Sequence, residues 1–181
     1  MTCIVGYVEN NRVFIGGDSA GVAGYSIQVR SDAKVFQNED CIFGFTSSFR
    51  MGQVLRYKLQ LPKCETWDIE RYMCTTFIDA VKSCFKENGI NYHDSGQDFG
   101  GVFLVGLKGR LFRIDSDYQV AWNDKNYDSV GCGEDLAVGA LFALEHMDRT
   151  QISAEDRITI ALDAASTFSG AVTPPYTIIS I

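Results

Sequence analysis

Residues 2–17 constrain this chain more than any other stretch. Thr2-Cys3-Ile4-Val5-Gly6-Tyr7-Val8-Glu9 alternates and is rich in β-branched residues, the period-two pattern of a strand. Asn10-Asn11 follows, and Asn tolerates the positive φ that a tight two-residue turn needs. Arg12-Val13-Phe14-Ile15-Gly16-Gly17 is then the return strand. Such a hairpin sets the first residue of one strand opposite the last of its partner, so it brings Thr2 beside Asp18.

Thr2 follows the initiator Met, and aminopeptidases trim Met readily before a small residue. Once Met1 is removed, one residue carries both a hydroxyl nucleophile and a free α-amine. That amine has a reference pKa of about 7.7–8.0, so it accepts a proton near neutral pH. This is the threonine form of an activated nucleophile. A Thr hydroxyl needs electrostatic help, and Lys34 can give it as an ammonium. A unit charge at 4 Å is worth about 1 kcal/mol in water and about 4 kcal/mol at an effective dielectric of 20. Asp18 is placed to pair with Lys34. Taken singly, Thr2 reads as a strand residue, Asp18 as a turn carboxylate and Lys34 as a solvated edge lysine. Together, with the strand text between them, they read as a catalytic set.

The ordered set Thr2, Asp18 and Lys34 resembles the N-terminal-nucleophile hydrolases of the proteasome β-subunit and HslV type. Val13-Phe14-Ile15-Gly16-Gly17-Asp18-Ser19, Ala23-Gly24, Lys34-Val35-Phe36 and Gly44-Phe45-Thr46-Ser47-Ser48 carry the same likeness. So does Gly131-Cys132-Gly133 before an Ala-rich helical pattern. The likeness runs from residue 2 to the C-terminus and is densest over 2–48.

The resemblance implies a threonine peptidase in which Thr2 attacks, Asp18 orients Lys34 and the amide of Ser47 stabilises the oxyanion. The family normally has Gly at the Ser47 position. Gly21, Val22, Phe36 and Phe45 would line the substrate cleft, the two Phe favouring an apolar side chain. Cys132 and Ser166 stand where the family commonly has a supporting Ser and Asp. No cofactor is required. A monovalent cation held by the backbone carbonyls of Ala165, Phe168 and Ala171 is a family feature. Homo-oligomeric rings that take peptide or unfolded protein, and an ATP-dependent unfoldase partner, are implied in the same way. Two other readings stand beside this one: a catalytically silent scaffold subunit, favoured by Ser47, Cys132, Ser166 and any retention of Met1, and an amidohydrolase acting on small amides.

The 181 residues fit one domain, 1–181, and a 46% apolar and 22% charged make-up is ordinary for a globular chain. A net charge of −7 with no basic stripe argues against nucleic acid. No apolar run reaches the length of a membrane span. The six cysteines form no Cys-x-x-Cys pair and read as reduced, mostly buried thiols, which points to the cytoplasm. The only histidines, His93 and His146, lack ligand spacing to a Cys, so no metal site is expected. His93-Asp94 reads as part of a surface loop rather than a dyad.

Along the rest of the chain, residues 19–24 read as loop, and 25–30, 33–37 and 42–46 as strands. Ser47-Ser48-Phe49-Arg50 opens a helix, since Ser is a good N-cap. Met51, Val54, Leu55 and Leu59 continue it, and a longer helix spans 67–87 up to the Asn88-Gly89 stop. Residues 90–98 read as a polar loop, and 101–107, 110–114, 118–122 and 127–131 as strands. A helix over 134–147 would turn Leu136, Ala140, Phe142, Ala143 and Leu144 inward. Ser153 caps the next helix, Gly170 and Pro174-Pro175 end it, and 176–180 is a closing strand. Periodicity alone therefore gives an α+β layered domain. The resemblance narrows it to a four-layer α-β-β-α sandwich, two stacked antiparallel sheets flanked by helices.

Overall fold

The computed structural model describes residues 2–94, 96–147 and 152–181. β1 (Cys3–Glu9) and β2 (Arg12–Gly17) form the expected hairpin, with Ile4 opposite Gly17 and Glu9 opposite Arg12. Asn10 and Asn11 turn it at φ 51° and 61°. β12 (Tyr127–Gly131) pairs with β1, and β13 (Thr177–Ser180) with β2, giving an antiparallel sheet in the order β12-β1-β2-β13.

The second sheet is also antiparallel, in the order β11-β10-β9-β6-β5. Its strands are β5 (Val35–Asn38), β6 (Cys41–Phe45), β9 (Phe103–Leu107), β10 (Arg110–Ile114) and β11 (Val120–Ala121). Ile4, Val13 and Ile15 of the first sheet meet Val35, Ile42 and Leu104 of the second in a fully buried layer. The sheets stack closely there because Gly44 has no side chain, and a Cβ on it would strike the Ile4 and Ile15 methyls.

Each outer face is covered by helices. α1 (Phe49–Tyr57), α2 (Ile69–Tyr72) and α3 (Ile78–Glu87) lie on the second sheet through Met51, Leu55, Tyr72 and Phe85, in one core with Phe43 and Phe103. α4 (Glu134–Glu145) and α5 (Ala154–Phe168) lie on the first through Leu141, Ile158 and Leu162 against Val5 and Tyr7. Burying one such large side chain is worth about 1.5–3 kcal/mol. The layers are helix, sheet, sheet, helix: the four-layer sandwich.

Four local expectations need correction. Residues 20–23 are not loop: β3 (Ala20–Ala23) pairs with β4 (Ser26–Val29) around Gly24, which sits at φ 58°. Within 90–98, β7 (Tyr92–Asp94) pairs with β8 (Gln97–Phe99), and His93 bonds Asp98 rather than Asp94. The long helix is interrupted by a π-helical turn, Met73–Phe77, between α2 and α3. Met73, Phe77, Val81 and Phe85 recur every four residues, so a regular helix would rotate the row by about 40° per step. The wide turn returns part of that rotation and keeps all four buried. In α4 the buried residues are Ala137, Leu141 and Leu144, while Phe142 faces solvent. The cysteines divide evenly: Cys3, Cys41 and Cys84 are buried, Cys64 is half-buried, and Cys74 and Cys132 are exposed.

Candidate active site

The hairpin register continues one residue past β2. The Asp18 amide donates to the Cys3 carbonyl (3.3 Å), and the Cys3 amide donates to Asp18 Oδ1 (3.0 Å). Asp18 is thereby fixed next to Thr2 by backbone geometry. Its Oδ1 also accepts from Lys34 Nζ at 2.8 Å. Oδ2 accepts from the amides of Ala20 (2.9 Å) and Thr173 (3.4 Å). Both carboxylate oxygens are thus satisfied in a site where Asp18 and Lys34 are each only 2% exposed.

Lys34 reaches this position from the residue before β5, where its carbonyl accepts the Phe45 amide (3.1 Å). Burial pulls the Lys34 pKa below the ordinary lysine value, and the bond to Asp18 opposes that pull. A buried ion pair carries a desolvation cost of several kcal/mol per ion before geometry repays it. A chain that keeps one here therefore keeps it at a thermodynamic cost, as functional sites do.

Thr2 is held from its other side by Gly131-Cys132-Gly133. The Thr2 nitrogen lies 3.2 Å from Cys132 Sγ, its acceptor. The Thr2 carbonyl accepts from Cys132 Sγ (3.4 Å) and from the Gly133 amide (3.4 Å). Gly131 sits at φ 107°, and any Cβ there would run into the Thr2 carbonyl. Only glycine fits this wrap. Cys3, the next residue, is a bystander: burial pushes its thiol up to about 12.

Ser47 follows β6 at φ 70°, in the left-handed region. A non-glycine residue there costs about 1–2 kcal/mol. Its hydroxyl accepts from the Val102 amide at 3.2 Å. Among the described residues, nothing accepts from the Ser47 amide itself.

Thr2, Asp18 and Lys34 therefore converge, and Cys132 joins them. The other sequence candidates divide. Gly21 and Val22 line a groove of about 260 Å³ with Ile27, Arg30 and Phe49. Phe45 lines an adjoining recess of about 80 Å³ with Ala33, Phe49, Gly52, Arg56 and Tyr57. Phe36 lines neither. It is packed in the core on Phe43, with ring centroids 5.3 Å apart, beneath the Arg56 guanidinium. Ser166 also lies elsewhere: its hydroxyl bonds the Asp163 carbonyl and the Tyr176 hydroxyl, not the groups around Thr2.

Three contributors were not read from the sequence. Thr173 supplies a donor to Asp18, and its carbonyl accepts the Ser19 amide (2.9 Å). Ser169 sets its hydroxyl 3.8 Å from Cys132 Sγ. Arg30, in the groove lining, lies over the Phe49 ring (3.8 Å) and is gripped by Asp32 of the recess lining (Nε to Oδ1 2.7 Å). The first two come from the far end of the chain and had no local signal. The Arg30-x-Asp32 spacing on an extended segment was visible, since residues two apart share a face.

No family model matches the sequence. No curated protein is similar to it by sequence. Solved structures are similar in fold. BPH from Thiobacillus denitrificans, in complex with epoxomicin, superposes with a TM-score of 0.83 at 18% identity, over 99% of this chain and 98% of that one. HslV from Trypanosoma brucei gives 0.70 at 18% identity, over 99% and 98%. The Anbu (Gly-1) mutant from Hyphomicrobium sp. strain MC1 gives 0.65 at 14% identity, over 100% of this chain and 82% of that one. The chain has the proteasome/HslV-like N-terminal-nucleophile fold.

Proposed function

We propose that this chain is a threonine-type endopeptidase of the N-terminal-nucleophile class, active once Met1 is removed. Met1 itself lies outside the described residues. The observation that carries the reading is the bifurcated Asp18 Oδ1, which accepts the amide adjoining Thr2 and the Lys34 ammonium in one sealed spot. Thr2 Oγ attacks the peptide carbonyl carbon, and its proton passes to the Thr2 α-amine. Lys34 stabilises the developing alkoxide, and the unbonded Ser47 amide receives the oxyanion. The amine then protonates the leaving amine as the C–N bond breaks, leaving an ester on Thr2. Water, deprotonated by the same amine, hydrolyses that ester.

The groove along Gly21 and Val22 suits an extended peptide backbone, and the recess under Phe45 suits one compact apolar side chain. Homo-oligomeric rings, with an ATP-dependent unfoldase feeding them, and a cytoplasmic setting belong to this reading. A monovalent cation would be held by the carbonyls of Ala165, Phe168 and Ala171. The Ala165 carbonyl accepts the Ser169 amide (2.9 Å) and keeps a second lone pair, which is compatible with such an ion. The ion would fix the turn after α5, and the steps above run through the chain's own residues.

A second reading, a silent scaffold subunit, draws on Ser166, whose hydroxyl is engaged by Asp163 and Tyr176, and on the strained Ser47. Epoxomicin, the ligand of the similar BPH, separates the two. Native intact mass should show loss of Met1 and one epoxomicin adduct on the wild type, and none on Thr2→Ala. A wild type that keeps Met1 and takes no adduct assigns the chain to the scaffold class.

A further inference from the structure

Ser47 stands where its conformation asks for glycine, and its surroundings show what holds it. The β6–β9 ladder pairs Gly44 with Leu104 and Phe45 with Phe103, so the next rung belongs to Thr46 and Val102. Half of that rung forms normally: the Thr46 amide donates to the Val102 carbonyl (3.1 Å). The other half does not. The Thr46 carbonyl is taken by the Ser48 amide (2.9 Å), as the chain turns toward α1. The Val102 amide donates instead to Ser47 Oγ (3.2 Å). A side-chain hydroxyl thus replaces a backbone carbonyl on the last rung of the sheet. Gly101 makes room for this, since a Cβ there would crowd the Ser47 Cβ at 3.3 Å and strike Met51 Sδ.

We propose that Ser47 is a positioning residue whose hydroxyl, bonded to the Val102 amide, locks the 46–48 turn at positive φ and aims the Ser47 amide at the oxyanion. The inference rests on the threonine-peptidase reading for what the amide does there, but not for the lock itself. A glycine reaches positive φ by freedom from side-chain clashes. Here a specific bond holds a serine in the same conformation, and the amide gains a fixed direction. Positions of this kind act on the transition state more than on substrate binding, because the donor must meet the oxyanion rather than the ground-state carbonyl.

The test compares wild type, Ser47→Ala and Ser47→Gly. Amide hydrogen exchange reads the lock, with Leu104, two residues along β9, as internal control. Val102 should exchange at least tenfold faster in both variants while Leu104 is unchanged. Peptide turnover reads the consequence. Ser47→Ala keeps the Cβ and loses the bond, so its turn relaxes: kcat should fall about tenfold, or about 1.4 kcal/mol, with KM within about twofold. Ser47→Gly should recover to within about threefold of wild type, because glycine needs no lock. Unchanged Val102 exchange in Ser47→Ala overturns the proposal. So does wild-type kcat in Ser47→Ala, or a Ser47→Gly as slow as Ser47→Ala. A wild type that takes no epoxomicin and cleaves no peptide sinks the peptidase reading instead, and Val102 exchange then decides the lock alone.

Discussion

At the scale of single residues, the site turns on one buried charge pair whose two halves depend on each other. Lys34→Met removes the ammonium and leaves Asp18 sealed with only amide donors from Cys3, Ala20 and Thr173. Breaking a buried pair from one side costs about 3–5 kcal/mol, whereas replacing both members is often nearly neutral. Urea unfolding should therefore show Lys34→Met destabilised by roughly 3 kcal/mol. The double variant Asp18→Asn/Lys34→Met should recover most of that loss and remain inactive. Equal stability of the single and double variants would contradict the pair's sealed geometry. The pH dependence follows from the same burial. Because the folded pKa of Lys34 lies below its unfolded value, the folded state binds fewer protons between the two. Its contribution to stability is thus fully present above the unfolded value and lost as pH falls through the folded one. Activity runs the other way, since catalysis uses the ammonium. The kcat/KM profile should rise as the Thr2 amine, with a reference pKa of about 7.7–8.0, loses its proton. It should then fall at a pH below the ordinary lysine value of about 10.4. An alkaline limb at or above that value would show that Lys34 titrates as a solvated lysine.

At the scale of elements, two glycines decide whether strands can approach. Gly131→Ala would place a methyl on the Thr2 carbonyl at φ 107°, so activity should be lost together with the Cys132 and Gly133 contacts. Gly44→Ala would push apart Ile4 and Ile15 between the sheets, and overpacking of that sort costs about 1–3 kcal/mol. Thermal melts and peptide turnover together distinguish them: Gly131→Ala should lose turnover out of proportion to its stability, and Gly44→Ala should lose stability first. The same contrast explains what was legible in the sequence. The β1–β2 hairpin announced itself through alternation and Asn10-Asn11, and with it the meeting of Thr2 and Asp18. Lys34 could be placed only by adding a resemblance. Elements whose cues are tertiary were misread. The apolar face of α4 was set by which side meets α5 and β12, so Ala137 is inside and the larger Phe142 outside. β3 is small-residue text that becomes a strand only because β4 pairs with it. Phe36 was offered to the cleft by its chain position. The pleat turned it inward onto Phe43, and nothing in a single strand's sequence says which of its faces a helix will cover.

At the scale of the whole molecule, the hairpin of β3 and β4 links the site to the outer surface. Its roots are site residues: the Ala20 amide donates to Asp18, and the Arg30 amide to the Ser19 carbonyl (2.9 Å). From tip to root, the turn and β4 bear Tyr25, Ile27 and Val29, spaced two apart and exposed at 109%, 49% and 56%. A lone two-stranded hairpin is marginal in water, and three exposed apolar side chains within five residues of one suit a contact surface. In the proposed oligomer the face is covered by a second copy, so assembly and the stiffness of the substrate groove rise together. The wild type should then scatter light as a multiple of the single chain. Tyr25→Lys/Val29→Lys, at positions outside the groove lining, should shift that mass toward one chain. Peptide turnover should fall in the same variant even though neither residue touches Thr2, Asp18 or Lys34. The coupling is mechanical: Gly21 and Val22 sit on the strand paired with β4, and a β4 that loses its cover loses the partner that holds the groove straight. A wild type that stays a single chain across the accessible concentration range would leave the hairpin face without a role in assembly. A double variant that dissociates yet keeps full turnover would separate assembly from the site.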